Sequence, residues 1–129
     1  MIERINVPGL SQPPGYSHAV VARAGRLVTT AGAVPLDPDG NLVGPGDLAA
    51  QAKQVLGNLT LALGAIGAKG SDVLKTTVYV VSENREDLIT VWRVIQESVV
   101  ADAASTLFGV SLLGYEGQLL EIEAIAVLE

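Results

Sequence analysis

Residues 119–128 (LLEIEAIAVL) hold two glutamates in an otherwise aliphatic run, and this last strand constrains the fold more than any other segment. Side chains alternate across a strand, so Leu120, Ile122, Ala124, Ala126 and Leu128 share one face while Glu121, Glu123, Ile125 and Val127 share the other. The first set is a core face. The second mixes carboxylates with aliphatics, the composition of a surface partly solvated and partly covered, as at a pocket or a subunit contact. On residue type alone the favoured reading is a C-terminal edge strand, where two solvated glutamates discourage aggregation.

The rest of the chain supplies partners for such a strand. Residues 2–7 are expected as a short strand ended by Pro8-Gly9, and the loop Ser11-Gln12-Pro13-Pro14-Gly15, whose prolines fix φ and lack donors, delivers Tyr16. Residues 18–24 and 26–31, rich in Val, Leu and Thr and parted only by Gly25, predict a hairpin. The stretch Pro35-Leu36-Asp37-Pro38-Asp39-Gly40 is turn chemistry. Asp47 can cap a helix whose stripe of Leu48, Ala52, Val55, Leu56, Leu59, Leu63 and Ile66 keeps the helical period, with Gly67 to end it. Residues 73–81 (VLKTTVYVV) predict a central strand. A second helix, opened by Ser82 or Asn84, has Glu83, Glu86 and Asp87 at its positive end and a stripe of Leu88, Val91, Trp92, Ile95 and Val99. Residues 105–113 and the turn Gly114-Tyr115-Glu116-Gly117 then lead into the final strand as a second hairpin. The order is β-β-β-α-β-α-β-β. Two helices of this length cover one face of a mixed sheet, which makes an α+β two-layer sandwich. Strands apolar on both faces leave the other face to be buried against another subunit.

A length of 129 residues suits a single domain, 1–129, with no repeat or linker, and 49% apolar residues rule out a disordered chain. With 8 basic and 14 acidic side chains the formal charge is 8 − 14 = −6, and no Lys/Arg run occurs, so nucleic acid is not an expected partner. Zero cysteines exclude disulfides, thiolate catalysis and Cys-based zinc sites, and a single histidine, His18, makes a dedicated metal site an unexpected feature. The start MIERINVPG lacks the basic-then-apolar pattern of a signal peptide, and no apolar run approaches the roughly 20 residues of a membrane span. A cytoplasmic protein with no membrane partner is expected.

Five segments, in this order and spacing, carry a resemblance: PPGYSHAV at 13–20, RLVTTAG at 26–32, DLAAQAKQVLGNLTLALGAIGA at 47–68, DVLKTTVYV at 72–80 and EIEAIAV at 121–127. Together they resemble the Rid family of reactive intermediate deaminases, also called the YjgF family and, by older names, L-PSP endoribonuclease or translation inhibitor. The resemblance spans nearly the whole chain. It implies a chorismate-mutase-like fold, a homotrimer whose sheets pack into a central barrel, and small-molecule clefts at the three subunit interfaces, with no metal or cofactor. In deaminase members an arginine on the penultimate strand grips the carboxylate of a 2-imino or 2-amino-enoic acid, and water then releases ammonia. A bidentate guanidinium orients a planar carboxylate while a nearby acid positions the water.

At that arginine the chain departs from the family. Matching Ser105-Thr106-Leu107-Phe108-Gly109-Val110 to the arginine-led strand puts Ser105 in its place, and a gapless count back from the final strand puts Thr106 there. A hydroxyl donates one hydrogen bond to a carboxylate but supplies no charge. The family's Ser-Gly before the long turn reads Ala31-Gly32, and an often polar helix position is Trp92, so the pocket is more apolar. Tyr16 and Glu121 match positions that line the cleft. The resemblance thus makes Glu121 the candidate acid or base, and Tyr16, Ala31, Gly32, Trp92, Ser105, Thr106 and Leu107 the candidate ligand-binding residues.

Each candidate has a competing structural role. Glu121 can pair across the trimer, Tyr16 can seal the proline loop, and Trp92 lies on a core stripe. A lone His18 reads as structural, and Glu123 as solvated or salt-bridged. Arg23 and Arg26 flank a glycine turn as surface charges, unless one crosses an interface to replace the lost anchor. The expected function is a deaminase-like imine or enamine hydrolase of altered specificity, with weak or no 2-imino acid deaminase activity. The alternative is a non-enzymatic small-ligand-binding or regulatory trimer. An endoribonuclease comes last, because the chain is acidic.

Overall fold

Asp47, in an extended conformation, accepts the amide of Ala50 and starts α1 (Leu48–Ala65) where the cap is expected. The computed structural model describes all residues, 1–129. The helix buries Ala52, Val55, Leu56, Leu59 and Leu63, and Gly67, at a φ of +81°, turns the chain away. Ile66 falls past the last turn and is exposed. In α2 (Arg85–Gln96), Asn84 is the cap, Glu86 and Asp87 lie at the positive end and Arg93 at the negative one. Its buried residues are Val91 and Ile95; Val99, expected on the same stripe, lies beyond the helix end and is exposed. Asp47→Ala is expected to cost about 1 kcal/mol, read as a lowered urea midpoint at unchanged slope.

The strands are β1 (Ile2–Ile5), β2 (Ala19–Ala22), β3 (Arg26–Thr29), β4 (Val73–Val81), β5 (Ala104–Val110) and β6 (Leu120–Leu128), with a 3-10 turn at Gly70–Asp72 before β4. Chain order is as expected, but the pairing is not. β1 and β2 form an antiparallel ribbon of their own, and the other four make one sheet in the order β3-β6-β4-β5. Neither expected hairpin forms. At Gly25 (φ +125°) the backbone presses on the end of β6, where a Cβ would lie 2.3 Å from the carbonyl oxygen of Leu128, and β3 then runs antiparallel to β6 with Arg26 opposite Leu128. β5 runs parallel to β4 because α2 forms the crossover between them. β6 enters between β3 and β4, so the strand that resembles an edge is interior.

This interior position gives its two faces their meaning. Leu120, Ile122 and Ala124 stand opposite Val80, Val78 and Thr76, all fully buried under the helices. On the reverse face Glu121 stands opposite Tyr79, Glu123 opposite Thr77 and Ile125 opposite Lys75. That face has no helix. Leu27, Phe108 and Ile125 are exposed on it, while Val127 is buried. The architecture is the α+β two-layer sandwich, with both helices on one side. No helix is long and apolar enough to cross a membrane.

Candidate functional site

A cavity of about 370 Å³ opens between α2 and the edge strand β5, lined by Pro14, Tyr16, Leu88, Ile89, Trp92, Ser105 and Leu107. Ser105 and Leu107 are on the helix side of β5, as their partners Thr76 and Val78 on β4 require. The proline loop is tied down on the other side. Trp92 Nε1 and Gln96 Nε2 each donate to the Pro14 carbonyl at 2.8 Å, and Ser17 Oγ donates to the Asp102 carbonyl at 2.7 Å. Tyr16 stands edge-on to Trp92, ring centroids 6.0 Å apart, and to His18 at 6.2 Å. His18 Nδ1 accepts the Val7 amide at 2.9 Å, so Nε2 carries the proton and donates to the Ser11 carbonyl at 2.9 Å. With both ring nitrogens engaged, His18 is a brace for the loop.

Glu121 is elsewhere. Ser105 pairs with Thr76 on the helix side, whereas Glu121 pairs with Tyr79 on the bare side, so within one chain the sheet separates them. The Glu121 carboxylate accepts from Gln118 Nε2 at 3.0 Å and lies against the backbone of Gly32, where a Cβ would come within 2.0 Å of Oε2. Gln118 is buried and saturated: its second amide proton goes to the Leu120 carbonyl at 3.0 Å, and its oxygen accepts from the Tyr115 amide at 3.1 Å. Ala31 and Gly32 also edge a separate apolar hollow shared with Asn58 and Leu59. Gly32→Ala is expected to push the carboxylate off Gln118, a change visible in the side-chain amide resonances of Gln118. The melting temperature should fall by a few degrees, because the buried Gln118 amide is left with a proton that has no acceptor.

Two further pairs form among the polar groups of the bare face. Tyr79 donates its hydroxyl to Glu123 Oε1 at 2.5 Å, so Glu123 is neither solvated alone nor salt-bridged as expected. That bond favours the neutral phenol and raises the Tyr79 pKa above its ordinary 10.0, with burial and the charges of Glu123 and Glu121 acting in the same direction. A raised folded-state pKa gives stability that is fully present below the unfolded value and lost as pH rises through the folded one. Of the three tyrosines, one is therefore expected to ionise last in an alkaline absorbance titration, and Tyr79→Phe should remove that step. Lys75 Nζ donates to Thr106 Oγ1 at 2.7 Å, which turns Thr106 to the bare face, away from the cavity.

Tyr16, Trp92, Ser105 and Leu107 thus gather round one cavity, Glu121 with Ala31 and Gly32 forms a second locus, and Thr106 belongs to neither. Trp92 both lines the cavity and packs against the core. Arg23 is exposed, and Arg26 lies in a cleft between the chain ends beside Lys69 and Glu129. The sequence reading passed over Pro14, Leu88 and Ile89 in the cavity wall, and Gln118 beside Glu121. An amide preceding a glutamate strand is the only local sign of Gln118, and its role depends on a turn that folds it back.

A family model described as Endoribonuclease L-PSP matches residues 10–128. A RutC family protein from Pyrococcus horikoshii is 38% identical over 85 residues, which cover 65% of this chain and 66% of that protein. The 2-iminobutanoate/2-iminopropanoate deaminase of Mus musculus is 39% identical over 116 residues, 87% of this chain and 80% of that one. The crystal structure of YyfB, a Rid family protein from Yersinia pestis, superposes with a TM-score of 0.92 at 38% identity, covering 98% of each chain. Against the first curated relatives the matched stretch spans about half of their length, between 43% and 66%.

Proposed function

The chain belongs to the Endoribonuclease L-PSP family, the Rid or YjgF family, and from this we propose a cytoplasmic homotrimer that hydrolyses a C=N bond in clefts between its subunits. The observation that carries the reading is the split site: a cavity without an acid on one side of the sheet, and a held carboxylate without a cavity on the other. A second copy supplies what the first lacks. Exposed Leu27, Phe108 and Ile125 give the bare sheet face a reason to associate.

In this cleft Glu121 takes a proton from water as the water oxygen bonds to the imine carbon, and the C=N electron pair moves to nitrogen. The proton returns to nitrogen to give a carbinolamine, Glu121 then carries the carbinolamine's hydroxyl proton to the amine nitrogen, and as the C=O bond forms the C–N bond breaks and ammonia leaves. The substrate lacks the small carboxylate that the family's arginine holds, because Ser105 offers no charge. Hydrolysis of 2-iminopropanoate is expected to stay near its spontaneous rate. An imine made by an amine oxidase from 2-phenylethylamine should release ammonia faster with the protein than without it. The reverse preference would overturn the reading.

Mixed trimers test the sharing. Ser105→Trp, which fills the cavity, and Glu121→Gln should each be inactive alone, while refolding the two together should restore roughly one quarter of the sites by random assortment. No restoration would sink the shared cleft. A non-enzymatic binding trimer is favoured by the uncharged cavity wall, and saturable binding without any turnover is its signature.

A further inference from the structure

Resting on that reading, we infer that the cavity selects an uncharged ligand with an apolar body, up to the size of a benzyl group, and one hydrogen-bond acceptor that Ser105 addresses. Trp92 Nε1 is spent on the Pro14 carbonyl, and that carbonyl also receives Gln96, so neither lone pair nor indole proton remains for a ligand. Trp92 therefore offers only its ring.

Ser105 is different. Thr76 Oγ1 lies 2.8 Å from Ser105 Oγ, and Thr76 is 1% exposed with no other hydroxyl partner. If Ser105 donated to Thr76, the Thr76 proton would be buried without an acceptor, a loss that native structures avoid. Thr76 therefore donates, and the proton of Ser105 is left for the cavity that Ser105 lines. Tyr16, whose hydroxyl has no partner in the chain, is the other polar group of the wall.

Within one chain no Lys, Arg, His, Asp or Glu lines the cavity, so a carboxylate entering it gives up hydration with no cation to meet, and an ammonium has no partner other than the Glu121 that a neighbouring copy brings to the cleft. A neutral carbonyl or imine loses far less and gains the Ser105 proton. A volume of about 370 Å³ is at the small end for ligand sites and suits one ring or a short branched chain.

Trp92 is the only tryptophan, so its emission reports on this cavity alone. Three probes of one shape should be titrated into the Glu121→Gln protein, where no neighbour's carboxylate can pair with a cation: 2-phenylacetamide, phenylacetate and 2-phenylethylammonium. The amide is expected to saturate with a Kd at least about ten-fold below that of either ion. Ser105→Ala should weaken the amide about five-fold. Since that change strands the Thr76 proton, the pair Ser105→Ala and Thr76→Val, which removes both hydroxyls, should give the same weakening in a stable fold. A charged probe binding as tightly as the amide, no saturation by the amide, or unchanged affinity in the pair of substitutions would each overturn the assignment. Glu121-dependent imine hydrolysis is measured separately, so a cavity that prefers an anion would refute this ligand class and leave the hydrolytic reading standing.

Discussion

Glu121→Gln is expected to lower carboxylate-free imine hydrolysis by about 10²- to 10⁴-fold, the range that a positioned acid or base contributes. The substitution keeps the shape and keeps an oxygen for Gln118 Nε2, so the melting temperature and the Trp92 titration should match the native protein. What it removes is the ability to take a proton from water and return it to nitrogen. If the variant retains native turnover, the proton is moved by another group and the role given to Glu121 is wrong. The close approach of Gly32 matters here, because it presses the carboxylate against backbone and leaves it one hydrogen-bonded position.

Ile125→Asp is expected to convert a trimer into folded monomers. Ile125 lies on the interior strand β6, on the face without helices, opposite Thr29 on one side and Lys75 on the other. If that face is the subunit contact, each copy must strip water from a new carboxylate, a cost that its cross-strand neighbour Lys75, engaged with Thr106, repays only in part, and Glu123 two residues away adds like charge. Light scattering should show the mass falling to one chain, while far-ultraviolet circular dichroism holds because the helix-covered core is untouched. Imine hydrolysis should fall with the mass, since no copy is left to bring its Glu121 to a neighbour's cavity. Ile125→Thr, which keeps the β-branch without the charge, should remain assembled. A native chain that is itself monomeric at assay concentrations would remove the basis for the prediction.

Much of this molecule is legible locally. Asp47 and Asn84 cap their helices as their side chains dictate, Gly67 ends the first, and the stripe from Ala52 to Leu63 is buried as its spacing requires. The alternation along β6 correctly divides core from reverse face. Caps, periods and alternation depend on residues a few positions apart, so the chain carries them without reference to anything distant.

The order of strands does not work that way. Gly25 and the turn at 114–117 both look like hairpin turns, yet β3 and β6 pair with each other, and β5 is held to β4 by a helical crossover. Ser105 and Thr106 are equal candidates for the family's arginine position by counting alone. Only the register with β4 puts Ser105 beside Thr76 at the cavity and Thr106 beside Lys75 on the far face, because a shift of one residue reverses every side chain on a strand. By itself the sequence determined the family resemblance, the layers, the uncharged residue in the arginine's place and the two-faced final strand. Tertiary structure alone decided that this strand is interior, that Tyr79 takes Glu123, that Gln118 holds Glu121, and that acid and cavity lie on opposite sides of the sheet. Those are pairings between segments tens of residues apart, set by how the whole chain buries its apolar area and not by any neighbour along it.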